Sequence, residues 1–308
     1  MADKYRLITR SDFDGLMAAA LLKELDMVDT VEFVHPKDMQ DGKVAVTDRD
    51  ITANLPYVEG VHLCFDHHAS ELSRVGEAKN FITEPDSPSA ARVVWKHYGG
   101  ADKFPNVSEQ LMAAVDKSDS AQFTRDEILN PDGWVLLSFI MDARTGLGRF
   151  HDFRISNTEL MFKLLDLIRT QSLSDILSDD DVIERVELYK RHAAINAEQI
   201  ERCGTVHGNL VVLDLRDQDE IYAGNRFMVY AVFPQCNISL HVMWGKGKQN
   251  VAIACGKSIL DRSSKTNVGE LMLRHGGGGH VAAGTCQVPT DKADETVKEL
   301  IEAINADG

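Results

Sequence analysis

Residues 61–68 change abruptly from an apolar run into a carboxylate and two imidazoles. They read Val-His-Leu-Cys-Phe-Asp-His-His and end in Asp66, His67 and His68. Apolar residues followed by ligand-type residues are typical of a buried strand that delivers side chains to the open end of a sheet. Asp and His together also suit a divalent cation such as Mn²⁺ or Zn²⁺. Taken alone, the triplet fits a capped loop with surface histidines equally well.

Three further strands are predicted before this segment, at residues 5–9, 31–35 and 43–47. The first leads into Asp12 and Asp14, and the third leads into Asp48. Strands that repeatedly end in acids or histidines indicate a ligand site at the carboxyl edge of a mostly parallel sheet. The sequence therefore predicts an α/β fold with such a sheet in its N-terminal part.

Asp12 and Asp14 lie between the first strand and a predicted helix over residues 16–25. Their alternate spacing lets both carboxylates converge on a cation above the strand end, and the helix N-terminus favours negative charge nearby. The alternative is that one of them only caps the helix.

Two more candidates follow along the chain. Asp116 closes a helix predicted over residues 107–115, where the alternative is a surface acid at a helix end. Residues 142–154 place Arg144 and Arg149 among glycines and aromatics in the densest basic stretch of the sequence. Arginine suits bidentate contacts to phosphate, whereas the alternative is a solvated loop.

After Cys203 and Gly204 the sequence pattern changes from helices to closely spaced strands. This change predicts domains at residues 1–203 and 204–308. Strands are expected at residues 210–213, 228–232, 239–244 and 250–255, and a helix at residues 266–274. Four consecutive glycines, Gly276–Gly279, and then His280 follow this helix. Such a run lets backbone N–H groups approach an anion closely. A flexible linker is the alternative, although a helix and an apolar segment flank the run.

The composition narrows the class of partner. The chain has 33 Lys+Arg against 48 Asp+Glu and a net charge of −15, so it lacks the basic excess of a protein that wraps long duplex DNA. No apolar run approaches the ~18–20 residues that span a bilayer, and the N-terminus has no signal-peptide core, so we expect a cytoplasmic protein without a membrane partner. Five scattered cysteines argue against a disulfide framework or a thiolate zinc site.

Together these residues resemble the DHH–DHHA1 phosphoesterase family, which includes RecJ-type exonucleases, nanoRNase and pAp-phosphatase enzymes, and cyclic-dinucleotide phosphodiesterases. The aspartates, the Asp-His-His triplet and a glycine-rich segment similar to the family's GGGHxxAAG signature follow one another in family order. The resemblance implies an N-terminal, mostly parallel-sheet DHH domain and a smaller C-terminal mixed α/β DHHA1 domain, with substrate in the cleft between them.

The resemblance also implies hydrolysis at phosphorus assisted by two Mn²⁺ ions, with Mg²⁺ as an alternative. Asp48 would bridge the two ions, and Asp66 and His68 would orient the network and face the phosphate. The implied metal ligands are Asp12, Asp14, Asp48, His67 and Asp116. The implied substrate-binding residues are Arg144, Arg149, Arg262, Gly277, Gly278, Gly279 and His280.

Arg10 departs from the family pattern, which has a metal-binding histidine just before the first aspartate. Arginine stays protonated and cannot coordinate a cation. Either the first metal lacks a protein ligand and binds weakly, or Arg10 supplies positive charge in its place. We expect an active enzyme with one tight and one weak metal.

These observations predict a metal-dependent phosphodiesterase that cleaves short oligonucleotides or linear dinucleotides, such as pGpG, to nucleoside 5′-monophosphates. The alternatives are a pAp phosphatase, an exopolyphosphatase and a catalytically weak nucleotide-binding regulator. The sequence leaves a homodimer open.

Overall fold

The computed structural model describes residues 4–76 and 78–308. The expectation about the N-terminus rests partly on residues 1–3, which lie outside the described residues. The strands are β1 Tyr5–Arg10, β2 Val28–Val34, β3 Asp50–Ala53, β4 Leu63–Asp66, β5 Phe81–Thr83, β6 Gly204–His207, β7 Leu210–Asp214, β8 Ile238–Trp244, β9 Val251–Lys257, β10 Gly278–His280 and β11 Ala283–Val288.

One α-helix follows each of β1, β2 and β4, β3 leads directly into β4, and a helical stretch separates β5 from β6. The α-helices are α1 Phe13–Glu24, α2 Pro36–Gln40, α3 Ala69–Val75, α4 Ala90–His97, α5 Glu109–Asp119, α6 Arg125–Leu129, α7 Gly133–Met141, α8 Asn157–Thr170, α9 Leu173–Leu177, α10 Asp180–Cys203, α11 Met228–Val232, α12 Val268–Arg274 and α13 Ala293–Asp307.

The first sheet has five strands in the order β2-β1-β3-β4-β5, and every neighbouring pair is parallel. Its carboxyl edge therefore gathers the residues that end or follow β1, β3 and β4. Arg10 ends β1, Asn54 follows β3, and Asp66 ends β4. The predicted fold class is confirmed, and its parallel order brings together side chains that are distant in sequence.

Local sequence explains why α1 forms at this edge. Asp12 caps the helix by accepting a hydrogen bond from the Gly15 backbone N–H, and the run of three alanines that follows is fully or almost fully buried. Alanine has the highest helix propensity and little bulk, so the helix packs closely against its neighbours. Asp12 is thus the capping residue that the alternative explanation of the pair required.

The third strand lies later in the chain than the sequence predicted. Residues 43–47 have no regular structure, although Val44 and Val46 pack against the Ile8 side of the core. The strand that pairs with β1 and β4 is β3, whose four residues are all buried. Alternating apolar residues thus reflect burial of a loop here, and not a hydrogen-bonded ladder.

The second sheet has six strands in the order β10-β11-β9-β8-β7-β6. Only β7 and β8 run parallel, which makes the sheet mixed. Its core includes Ile238, Leu240, Val251 and Ile253 together with residues of α12 and α13.

One predicted strand of this half is wrong, because residues 228–232 form the short helix α11. Met228, Val229, Tyr230 and Ala231 are all buried. A short apolar run that is buried on every side has no periodicity that separates a strand from a helix.

The chain divides into two compact units, and the boundary differs from residue 203. The first comprises residues up to Gln122 and Pro131–Glu187, and the second comprises Phe123–Asn130 and Leu188–Gly308. The boundary lies inside α10. Because the helix is continuous there, the sequence has no break that would indicate a domain boundary. Among the described residues, no helix combines the length and apolar character needed to cross a membrane.

Candidate active site

Three side chains from separate elements of the first unit meet beside the carboxyl edge of the parallel sheet. Asp14 lies in the first turn of α1, His67 follows β4, and Asp119 ends α5. One potential ligand atom from each lies within 4.8 Å of the others. Two carboxylates and an imidazole at this spacing form a candidate site for a divalent cation.

The ring of His67 is oriented so that one nitrogen faces the two carboxylates. Nδ1 lies 3.1 Å from the Ser87 carbonyl oxygen, and because a carbonyl only accepts, Nδ1 carries a proton. Nε2 lies 3.0 Å from Asp119 Oδ2 but makes no hydrogen bond of good geometry, and it is buried. A backbone acceptor at the far nitrogen is the usual arrangement that fixes a metal-ligating histidine.

Asp14 is fixed by the N-terminus of α4. The backbone N–H groups of Ala90 and Ala91 donate to its two oxygens at 3.0 and 2.7 Å. Each carboxylate oxygen keeps a second lone pair, so this anchoring leaves Asp14 able to coordinate. The carboxylate is therefore held in place before any ion arrives.

The pKa values of Asp14 and His67 show that the cluster favours a bound positive charge. Burial raises the pKa of Asp14 well above its usual value, and the neighbouring Asp119 raises it further. Burial alone lowers the pKa of His67, but Asp119 and Asp14 outweigh it and raise that pKa to about 9. Without a metal, a proton on His67 supplies part of the charge that a cation supplies when it is bound.

Asp66 and His68 form a second pair next to this cluster. His68 Nδ1 lies 2.7 Å from Asp66 Oδ1, so the carboxylate fixes the ring. Asp66 is fully buried, and its other oxygen has no hydrogen-bond partner in the described part of the chain. Asp66, His67 and His68 also lie within 4.8 Å of one another as potential ligands.

These observations fit a divalent cation at Asp14, His67 and Asp119. The buried Nε2 of His67 makes no hydrogen bond of good geometry and faces two carboxylates, so a divalent cation at this point would find one nitrogen and two oxygen ligands. The mixed oxygen and nitrogen ligand set suits Mn²⁺ better than Mg²⁺, which prefers oxygen ligands alone.

Asp12, expected as a metal ligand, is surrounded by hydrogen-bond donors. Gly15 N–H donates to Oδ1 at 2.9 Å, Asn54 Nδ2 donates to the same oxygen at 3.2 Å, and Arg10 Nε lies 2.9 Å from Oδ2. Burial raises the pKa of Asp12, and the Arg10 charge opposes that effect. The structure thus brings Arg10 and Asp12 together, but as an ion pair.

Asp48, expected to bridge two metals, lies at the opposite edge of the sheet. It is exposed in the turn before β3, whereas the cluster follows the carboxyl ends of the strands. The length of β3, about 13 Å for four residues, separates the two edges. The misplaced third strand explains this expectation, and the residue at the carboxyl end of β3 is Asn54.

Asp116, also expected as a ligand, is held by other partners. Arg92 Nη2 lies 2.6 Å from its Oδ2, and Ser89 Oγ donates to its Oδ1 at 2.7 Å. Asp119 faces His67 instead, and the sequence interpretation did not select it. The predicted helix ended at residue 115, but α5 continues for one more turn to Asp119. A longer predicted helix would have placed Asp119 at its end and made it a candidate.

The basic stretch lies partly at this site. Arg144 makes an ion pair with Asp142 at 2.7 Å, and its charge also acts on Asp12 and Asp119. Arg149 folds back over Gly146, where an added Cβ would lie 2.1 Å from the Arg149 Nη2 atom. Arg144 therefore adds positive charge beside Asp119, one of the three residues of the cluster.

The glycine run of the second unit has a structural explanation at two positions. A Cβ at Gly277 would lie 2.0 Å from the Thr285 carbonyl oxygen, and one at Gly279 would lie 2.2 Å from that of Ala283. Gly278 differs, because a Cβ there would meet nothing within 4 Å. His280 and Arg262 are exposed, so both expected substrate residues are accessible on this unit.

Comparison with solved structures gives relatives over nearly the whole chain. The structure of the pGpG-specific phosphodiesterase PggH from Vibrio cholerae matches with a TM-score of 0.85 and 59% identity over 99% of this chain and 100% of that one. RecJ in complex with Mn²⁺ from Thermus thermophilus matches with a TM-score of 0.54 and 13% identity over 99% of this chain and 52% of that one.

A third structure, CDC45 from Entamoeba histolytica, matches with a TM-score of 0.52 and 9% identity over 98% of this chain and 95% of that one. At such identities, the likenesses to RecJ and CDC45 concern the fold alone. No protein-family model matches the chain, and a search of curated proteins found no match.

Proposed function

The chain belongs to the DHH–DHHA1 family of phosphoesterases, and on that premise we propose that it hydrolyses pGpG to two molecules of GMP. The single observation that carries the proposal is the 59% identity to a pGpG-specific phosphodiesterase along the full length of both chains. Because the match includes the second unit, it covers more than the metal-binding half.

We assign the binding of one divalent cation, Mn²⁺ in preference to Mg²⁺, to Asp14, His67 and Asp119. When bound there, such an ion would lower the pKa of a coordinated water and would neutralise charge on phosphoryl oxygens. Ser87 fixes the ring of His67, and the α4 backbone fixes Asp14, so the protein holds these ligands before the ion binds.

The other catalytic roles belong to residues that contact the phosphate. In the hydrolysis, the water oxygen bonds to phosphorus, the bond from phosphorus to the 3′-oxygen breaks, and a proton goes to that oxygen. We assign contact with the scissile phosphate to His68, whose ring Asp66 holds at 2.7 Å. Arg144 adds positive charge near the same acids and favours an anionic substrate.

For the second unit we propose that Gly278, His280 and Arg262 bind the part of the substrate away from the scissile bond. The open space beside the Gly278 Cα atom supports an approach of substrate to the backbone there. The exposed side chains of His280 and Arg262 supply polar and positively charged contacts.

The test is a product assay with Mn²⁺ or Mg²⁺ on pGpG, pApA, a series up to decanucleotides, pAp and polyphosphate. We expect rapid conversion of pGpG to GMP, slower cleavage of longer strands, and no phosphate release from pAp or polyphosphate. Faster turnover of long single strands than of pGpG would contradict the proposal. Tight binding of pGpG without GMP release would favour a nucleotide-binding regulator.

A further inference from the structure

We infer that the guanidinium of Arg10 takes the place of a second cation, so that each chain binds a single divalent ion. This inference rests on the proposed function, since it concerns the same site. It departs from the two-metal centre that the family resemblance implied, and it is carried by the residues around Asp12.

Asp12 offers less to a metal ion than Asp14 does, because two N–H groups already donate to its Oδ1 and the charged guanidinium of Arg10 faces its Oδ2. Gly15 and Asn54 donate to Oδ1 at 2.9 and 3.2 Å, and Arg10 Nε lies 2.9 Å from Oδ2. A divalent ion bound to Asp12 would lie beside the permanent positive charge of Arg10, and the two would repel each other. The donor set therefore does not fit a second metal.

Arg10 and Asn54 occupy the positions where this fold presents ligands. Arg10 ends β1 and Asn54 follows β3, and these neighbouring strands pair with Thr9 opposite Ala53. Asn54 is buried and has a φ of 54°, a left-handed conformation that asparagine tolerates better than most residues. Its amide is oriented by the contact with Asp12, because the reverse orientation would place two oxygens against each other.

The two halves of the site thus have opposite chemical character. Asp14, His67 and Asp119 present carboxylates and an imidazole lone pair, whereas Arg10 and Asn54 present N–H groups to Asp12. A metal fits the first half and a fixed guanidinium fills the second. Both would supply positive charge to a bound phosphate, and the metal would in addition lower the pKa of a coordinated water.

Arg10 retains groups with which to contact a substrate. Its closest approach to Asp12 is through Nε, and within the described part of the chain its terminal nitrogens donate no hydrogen bond. About a third of its side chain is exposed. We therefore assign Arg10 a direct contact with a non-bridging phosphoryl oxygen, and Asp12 the role of holding Arg10 in position.

The first test counts bound metal by equilibrium dialysis against Mn²⁺ and by the Mn²⁺ electron paramagnetic resonance spectrum. We expect one Mn²⁺ per wild-type chain and a spectrum without exchange coupling. Asp48→Ala, at the opposite edge of the sheet, is the matched control and should leave the count at one. The double variant Arg10→His/Asn54→Asp restores potential ligands and should bind two ions. Two ions, or an exchange-coupled pair, in the wild-type protein would overturn the inference.

The second test separates a phosphate contact from a structural role. Arg10→Ala should lower kcat for pGpG by about 100-fold while the count stays at one Mn²⁺, and added methylguanidinium should restore part of the loss. A kcat within about twofold of wild type would overturn the inference. If the wild-type protein hydrolyses no pGpG, the proposed function fails, but the Mn²⁺ count still decides how many ions are bound.

Discussion

Arg92 forms an ion pair of 2.6 Å with Asp116. Asp116 and Asp119 both lie on the last turns of α5, but this contact gives Asp116 a different partner from Asp119. Asp116 stabilises the packing of α5 against α4, while Asp119 faces His67. The two aspartates therefore give a matched pair of substitutions.

For this pair we expect opposite effects on metal binding and stability. Asp119→Asn should weaken Mn²⁺ binding by more than about 100-fold, because it removes a ligand and leaves the fold intact. Asp116→Asn should leave Mn²⁺ affinity within about threefold and lower the free energy of unfolding by about 2 kcal/mol, since within the described residues buried Arg92 then keeps Glu109 as its one acidic partner. Calorimetric Mn²⁺ titration and urea denaturation measure both; the reverse pattern would return the ligand role to Asp116.

A second prediction concerns Asp50, which is buried and accepts two hydrogen bonds from Arg6, at 2.7 and 2.9 Å. Burial raises its pKa, but Arg6 and Thr47 outweigh burial and hold that pKa below its usual value. The stabilisation from the Asp50 charge is therefore complete above the unfolded pKa of about 3.9 and is lost as the pH falls through the lower folded pKa.

Asp50→Asn should accordingly lower the free energy of unfolding by about 1–2 kcal/mol at pH 7, because it breaks the contact between a buried carboxylate and a guanidinium that is about a third exposed. The difference from wild type should shrink as the pH falls below about 3.9. Urea denaturation across this range measures it, and a difference that stays constant down to pH 2 would show that the Asp50 charge contributes nothing. Exposed Asp48→Ala serves as the control and should show little change at either pH.

A third prediction concerns the thiols. Burial raises the pKa of Cys64 and of Cys255 to about 12, so at pH 8 only about one molecule in 10⁴ carries either thiolate. Cys236 and Cys286 are also buried, whereas Cys203 is partly exposed. Iodoacetamide should label Cys203 first in the native protein and all five cysteines after denaturation. Mass spectrometry of peptides reports this, and early labelling of Cys64 would contradict the burial of β4.

A fourth prediction compares two neighbouring glycines. Gly277→Ala should destabilise the β10–β11 hairpin, because its Cβ would lie 2.0 Å from a backbone oxygen of Thr285. Gly278→Ala has room for its methyl group and should leave the melting temperature within about 1 °C. If substrate approaches the backbone at this position, Gly278→Ala raises KM for pGpG with kcat unchanged. An unaltered KM would remove Gly278 from the proposed substrate contacts.

The sequence predicted the fold where strand patterns and capping residues were clear. The buried run before Asp66 is a strand of a parallel sheet, and Asp12 begins α1 as a capping residue does. Prediction was less successful where a pattern had two explanations. Residues 43–47 alternate like a strand but pack as a loop, and this error moved the expected ligand from the end of β3 to Asp48.

The sequence predicted two of the three residues of the candidate metal site and missed the third, Asp119. Asp14 and His67 lie together as expected, and the choice between Asp116 and Asp119 depended on one extra turn of α5 and on Arg92 from another helix. Sequence alone could not show which acid Arg92 would neutralise. The sequence showed that Arg10 departs from the family pattern. Only the three-dimensional arrangement showed that Arg10 pairs with Asp12 and that the amide of Asn54 donates to the same carboxylate.

The unbroken course of α10 has a practical consequence for anyone who divides the gene. Asn225 of the second unit donates to Tyr189, on the C-terminal half of that helix, and to the Ile128 carbonyl oxygen, both at 2.9 Å. A polypeptide begun at Gly204 would lose both acceptors for a buried amide. Separate expression of this half therefore requires a start no later than Leu188, together with residues 123–130 supplied as a grafted or added peptide.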